Sequence, residues 1–108
     1  MKDFSLFHNM LHSGHLQSAI QSFEKDTPTS HWIGIRFPAF CQSFILETLS
    51  QPCSSILQFD VRALDGSRLR ILQSPSIMDF ALERLPRTQP ADPRPPIGFH
   101  LLPTAHSD

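Results

Sequence analysis

Residues 57–73 read LQFDVRALDGSRLRILQ, and this stretch is the most informative part of the chain because it predicts a β-hairpin. The apolar residues of its first half alternate, as in a strand with one buried face: Leu57, Phe59, Val61 and Ala63. A turn follows at residues 64–66, where Gly66 supplies the positive φ that a three-residue loop requires. The stretch therefore predicts a folded protein that contains a sheet.

The loop length determines which residues face each other across this hairpin. The predicted facing pairs are Val61 with Leu69, Phe59 with Ile71, Asp60 with Arg70, and Arg62 with Arg68. A two-residue loop would instead place Arg70 against Val61, so the pattern favours the longer loop. Like charges in directly opposed positions are unfavourable. We therefore expect an acidic or phosphate partner to relieve the pair formed by Arg62 and Arg68.

The N-terminal quarter predicts a pair of helices. Two apolar sets lie on nearly opposite sides of a helical wheel, namely Phe4, Phe7, Met10 and Leu11, and then Leu16, Ala19, Ile20 and Phe23. One straight helix cannot bury both sets with a single stripe, and Gly14 at the phase break suits a helix end. The sequence therefore predicts an αα-hairpin with helices at about 3–12 and 15–25.

The rest of the chain up to residue 85 predicts one strand and two more helices besides the hairpin. Alternation at 33–37 predicts a strand, and Pro38 can open a helix. The apolar stripe of that helix is Phe40, Cys41, Phe44, Ile45 and Leu49. The capping-box spacing from Ser76 to Asp79 begins a last helix, which Pro86 ends.

These elements predict a small single domain of the α+β class. Their order is α-α-β-α-β-β-α over residues 1–85, with the hairpin at about 57–73. Six prolines fall between Pro86 and Pro103, so residues 86–108 are predicted to form a flexible Pro-rich tail in polyproline II conformation or without order. A small apolar island at 97–102 would dock on the domain or on a partner.

Composition excludes several classes of function. The chain of 108 residues has a net charge of −1, so no strong overall field favours nucleic acid, acidic substrates or an anionic membrane, and there is no signal for DNA binding. Cys41 and Cys53 form no CxxC pair and give neither a disulfide framework nor a complete zinc site. No signal-peptide run follows Met1, and the apolar region at 31–49 contains charged residues. We therefore expect a cytoplasmic protein without a membrane span.

Two surfaces are predicted to bind a protein partner. One is the face of the hairpin that carries Arg62, Arg68 and Arg70. The other is the spacing Arg87-x-x-Pro90-x-x-Pro93, which is the minimal spacing of a polyproline ligand with a basic anchor. The leading hypothesis is therefore a non-catalytic interaction or accessory protein that binds through the Arg-bearing hairpin or through the tail.

Three alternatives remain open at this stage. An RNA-associated protein is suggested by the arginines and by the segment with Gly14, Ala19, Ile20, Phe23, Glu24 and Lys25, which resembles one unit of tetratricopeptide or pentatricopeptide repeats. A small enzyme or redox protein would use Cys53. A recently arisen reading frame would have no defined activity.

No catalytic, metal or cofactor site is predicted. His8, His12 and His15 would share a face only on one continuous helix, and the predicted break at Gly14 separates them. No nucleophile motif or phosphate-binding glycine loop is present in the sequence.

Overall fold

The computed structural model describes residues 4–8, 13–75, 79–87 and 94–101, which form seven strands and one helix. In chain order these are β1 (Phe4–His8), α1 (Ser13–Lys25), β2 (His31–Arg36), β3 (Phe44–Cys53), β4 (Ile56–Ala63), β5 (Arg68–Gln73), β6 (Asp79–Pro86) and β7 (Gly98–His100). The described part of the chain is therefore mostly β, and the predicted α+β order is wrong.

The strands form one curled sheet in the order β1-β6-β2-β3-β4-β5. All neighbours in this order are antiparallel, whereas β7 adds to β3 in parallel. Phe44 and Ile45 of β3 pair with β2, and residues 48–50 of β3 pair with β7. Strand β4 pairs along one edge of β3, so β2 and β7 both pair along its other edge. These two strands separate from each other between residues 45 and 48 of β3.

The core lies between α1 and one face of the sheet. From α1 come Leu16, Ile20 and Phe23, all of them buried. Phe37, Phe59 and Phe80 pack against one another with ring centroids 5.2 to 6.2 Å apart. These are the separations of edge-on and tilted aromatic pairs, which add to the stabilisation from burial. We call the opposite face of the sheet the outer face.

The hairpin is confirmed residue by residue. The register pairs Val61 with Leu69, Phe59 with Ile71, Asp60 with Arg70, and Arg62 with Arg68. Gly66 has a φ of 96°, and the Gly66 N–H donates to the Ala63 carbonyl at 2.9 Å. The Asp65 carboxylate accepts the Ser67 N–H at 2.9 Å, and this hydrogen bond lowers the pKa of Asp65. The alternation of apolar residues and the turn glycine, both local features of the sequence, were therefore sufficient to predict this hairpin and its register.

The predicted helix pair is half correct. α1 confirms the second helix, but residues 4–8, predicted to be helical, form β1. The backbone of β1 pairs with β6 from Phe4 opposite Glu83 to His8 opposite Asp79. This partner lies more than 70 residues away, so its hydrogen bonds override the local helical spacing.

The predicted helix after Pro38 is strand β3, and a β-bulge explains the error. The pairing of β3 with β4 shifts between Leu46 and Thr48, which places an extra residue, Glu47, in the strand. Leu46 and Leu49 are both buried, although three positions separate them. A bulge therefore converts the period of two into the i, i+3 spacing that is typical of a helix.

The predicted helix at 77–85 is largely strand β6, which lies between β1 and β2. Phe80 and Leu82 are buried in the core, while Leu85 lies on the outer face, opposite Trp32 in the register. Apolar residues on both faces of a central strand conceal the alternation, so the segment looks amphipathic and helical.

The predicted division at residues 85/86 remains a prediction. Within the second part, residues 94–101 contain β7, and Ile97 is buried. Phe99 and Leu101 pack against the core cluster, so the apolar island docks on the body of the protein. We call residues 94–101 the C-terminal strap.

Candidate functional site

The polar side chains that sequence analysis selected gather on the outer face. Strand alternation places the following residues there: Trp32, Gly34, Arg36, Ile45, Glu47, Asp60, Arg62, Arg68, Arg70, Asp79, Glu83 and Leu85. Five strands contribute to this set, so the face extends across the sheet beyond the hairpin.

Each of the three hairpin arginines contacts a carboxylate. The carboxylate of Glu47 lies 3.1 Å from Arg62 Nε and 3.5 Å from Arg68 Nε. Arg70 Nε donates to Asp60 at 2.9 Å. The acidic group expected to relieve the opposed Arg62 and Arg68 is therefore Glu47 of the same chain, which the bulge in β3 directs to this face.

The hairpin arginines differ in their exposure. The side chain of Arg62 is 28% exposed, whereas those of Arg68 and Arg70 are 76% and 64% exposed. Arg62 therefore belongs to the packed part of the outer face. Arg68 and Arg70 present most of their surface to solvent at the far side of the sheet.

Trp32, the single tryptophan, lies beside these arginines and was missed by sequence analysis. The guanidinium carbons of Arg62 and Arg87 are 5.0 Å and 4.7 Å from its ring centroid, within the range of cation–π attraction. The alternation of Ile33 and Ile35 in the sequence could have indicated this position. Both isoleucines are buried on one face of β2, so Trp32 must lie on the other face.

Arg87, the predicted anchor of a polyproline ligand, is part of the same cluster. Besides its contact with Trp32, its Nη1 donates to the Thr29 carbonyl at 2.7 Å. Its backbone N–H donates to the Ser30 carbonyl at 2.9 Å. Pro90 and Pro93 lie outside the described residues, so the rest of that predicted ligand has no structural description.

Arg94 attaches the C-terminal strap to the start of β2 and the end of α1. Its Nη1 donates to the carbonyls of Pro28 and His31 at 2.9 and 2.8 Å. Its Nη2 donates to those of Glu24 and Thr27 at 3.0 and 3.4 Å. Burial lowers the pKa of Arg94, and the charge of Glu24 opposes that shift.

A small cavity lies where β2 and β7 diverge along β3. It has a volume of about 80 Å³, and its walls include Trp32, Glu47, Arg62, Pro95 and Ile97. Ligand pockets for cofactor-sized molecules measure roughly 300–1,000 Å³. The cavity therefore has room for a few waters or the end of one side chain.

A second polar cluster on this side of the sheet joins Arg36, Ser43 and Glu83. Arg36 donates to the Ser43 hydroxyl from Nε at 3.2 Å and from Nη2 at 3.1 Å, and that hydroxyl donates to Glu83. Arg36 Nε also lies 3.3 Å from Glu83 Oε2. The polar atoms of this cluster satisfy one another, as part-buried polar groups require.

Both cysteines and two of the three candidate histidines lie within the described residues. Cys41, predicted on a buried stripe, is exposed, as is Cys53. The Ser55 hydroxyl lies 3.3 Å from Cys53 Sγ, and this hydrogen bond lowers the pKa of Cys53. His8 lies in β1 and His15 in α1, while His12 lies outside the described residues. In those that are described, no three metal-binding side chains group together.

Comparison of the chain with protein-family models, curated proteins and solved structures finds no match. Within the described part of the chain, no helix has the length and apolar character that crossing a membrane requires.

Proposed function

We propose that this protein is a non-catalytic binding module whose outer face binds an acidic partner protein. The observation that carries the proposal is the charge of this face. Five arginines, Arg36, Arg62, Arg68, Arg70 and Arg87, lie on it or at its margin with four carboxylates, Glu47, Asp60, Asp79 and Glu83. The excess is one positive charge, on a chain whose net charge is −1. Such local fields steer partners of opposite charge.

The residue types of the face support a protein partner. Tryptophan and arginine are enriched among the residues that dominate protein–protein binding energy. The contacts of Arg62 with both Glu47 and Trp32 hold its long side chain in place. Less conformational entropy is then lost when a partner binds.

RNA is the second candidate, and one observation favours it. Trp32 provides the aromatic ring that stacking on an unpaired base requires. Two guanidinium groups already lie against that ring. A base would have to displace one of them, so we place the protein partner first.

The Pro-rich segment is the weaker of the two predicted protein-binding surfaces. A polyproline ligand needs an extended segment with an accessible basic anchor. Arg87 is engaged with Trp32 and Thr29, so binding through it would require both contacts to break.

The experiment measures fluorescence anisotropy of two labelled probes, deca-glutamate and deca-uridylate, with the whole protein at low and physiological ionic strength. We expect deca-glutamate to bind in a salt-dependent way. Replacing Arg68 and Arg70 together with glutamine should weaken it about tenfold. The control is Lys25→Gln, because Lys25 is an exposed cation at the end of α1. It should leave the affinity unchanged.

Three results would overturn the proposal. Failure of deca-glutamate to bind would remove the acidic partner, as would equal losses in the arginine and lysine variants. Tighter, salt-dependent binding of deca-uridylate that depends on Trp32 would replace the protein partner with RNA.

A further inference from the structure

We infer that the partner binds by strand addition to the free edge of β5, and that the added strand alternates acidic and apolar residues. This inference rests on the proposed function and specifies its binding mode. β5 ends the sheet order on the side opposite to β1. In the described ranges, 4–8, 13–75, 79–87 and 94–101, only β4 pairs with it.

The hydrogen-bond pattern shows which residues present their backbone groups at this edge. The Ala63 N–H donates to the Ser67 carbonyl at 2.7 Å, which makes them a hydrogen-bonded pair. Bonded and non-bonded pairs alternate in an antiparallel ladder, so residues 69, 71 and 73 bond to β4. The backbone N–H and C=O groups of Arg68, Arg70 and Leu72 therefore point to the free edge.

This edge lacks most of the features that block strand addition. β5 contains no proline, and its six pairs with β4 run without a register shift. Leu72 is 56% exposed, Leu69 37% and Leu64 66%. Apart from Phe40, these are the large hydrophobic residues found exposed within the described ranges. Leu64 lies in the turn, and Leu69 and Leu72 lie on opposite faces of β5. An unpaired edge strand with exposed apolar side chains is available for docking.

The positive charges of Arg68 and Arg70 favour an acidic strand at this edge. Strand addition places partner side chains directly opposite Arg68 and Arg70, where carboxylates are favourable. A groove of about 270 Å³ lies beside these arginines, with Asp60, Val61 and Leu69 also in its walls. Apolar residues of the added strand would then alternate on the side of Leu69 and Ile71.

A second copy of the chain fits this edge poorly. Two-fold antiparallel pairing of β5 with itself about residue 69 or 70 brings arginine opposite arginine, and like charges in that position are destabilising. The same two arginines that attract an acidic strand therefore oppose self-association.

The experiment compares Leu72→Pro with Leu72→Ala. Both variants remove the exposed side chain, but only proline removes the N–H that points to the free edge. The probe is a labelled nine-residue peptide of alternating glutamate and valine, and a peptide with the same residues in two blocks is the control. We expect the alternating peptide to bind the alanine variant at least tenfold more tightly than the proline variant. We also expect it to bind wild type more tightly than the block peptide.

A second measurement uses only wild-type protein, so its result does not depend on whether the proline variant folds. The alternating peptide is N-methylated either on the amides that would face β5 or on those that would face away, and both forms are titrated into wild-type protein. Methylation on the facing side should abolish binding, whereas methylation on the other side should preserve it.

The outcomes separate this inference from the proposed function. If both methylated forms bind equally, strand addition is wrong, even where deca-glutamate still binds and the proposed function stands. Equal binding of the alternating and block peptides would contradict it in the same way. A dimer of the protein that Leu72→Pro abolishes would replace the acidic partner with a second copy.

Discussion

Glu47 is the residue on which the outer face depends most. It is the extra residue at the bulge of β3, and its carboxylate contacts the two arginines that oppose each other across the hairpin. Opposed like charges destabilise a sheet, and a shared carboxylate converts this repulsion into two attractive contacts. One side chain therefore makes the arginine pair compatible with the fold.

Glu47→Gln tests this role. We expect the free energy of unfolding to fall by about 1 kcal/mol, mostly through Arg62, since ion pairs of mainly exposed side chains such as Arg68 contribute little. The loss should be larger at low salt, where repulsion between the arginines is unscreened. Chemical denaturation at two salt concentrations measures both effects.

The control for this prediction is the same change in an Arg68→Gln background. Without Arg68, the repulsion disappears, and Glu47→Gln should cost less. Equal stability of wild type and Glu47→Gln at low salt would contradict the role assigned to this carboxylate.

Among the elements, β2, α1 and the β4–β5 hairpin were predicted because their own alternation or helical spacing matches their structure. The spacing in β3 and β6 does not match theirs. The β4–β5 hairpin follows from alternation and a turn glycine within 17 residues, 57–73. β3 and β6 take their shape from partners elsewhere in the chain. The bulge at Glu47 and the two-sided burial of β6 give each of them helical spacing.

The strap joins the C-terminal end of the described chain to α1 and the start of β2. Arg94 donates to four carbonyls between Glu24 and His31, and the Ile97 N–H donates to the Glu24 carboxylate at 2.9 Å. A cation near the end of a helix also stabilises it through the helix dipole. The strap therefore stabilises α1 as well as the edge of β3.

We expect Arg94→Ala to lower the free energy of unfolding by about 2–3 kcal/mol, because hydrogen bonds from a charged donor are lost and four carbonyls lose a donor. Arg94→Lys should recover only a small part, since an ammonium cannot reproduce the guanidinium fork. Amide hydrogen exchange should accelerate at Gly98–His100 and stay slow at Phe59 and Val61. Unchanged exchange in β7 would contradict the anchoring role.

At the scale of the whole molecule, the candidate site is a product of the sheet order. Arg62, Arg68 and Arg70 were predicted because the hairpin alone brings them together. Trp32 and Glu47 were not, because they reach the same face only when β2, β3 and β4 pair side by side. Arg87 contacts Trp32 across 55 positions of the chain, a distance that periodicity cannot bridge.

The most direct test of this sheet is therefore an NMR measurement of the pairing between β2 and β6, which joins strands from the two halves of the chain. We expect cross-strand NOEs between Gly34 and Glu83 and between Ile35 and Leu82, with strand-type chemical shifts through 44–53 and 79–86. Sequential helical NOEs through 40–49 and 79–85, with no contact between residues 34 and 83, would contradict this pairing and remove the outer face on which both binding proposals depend.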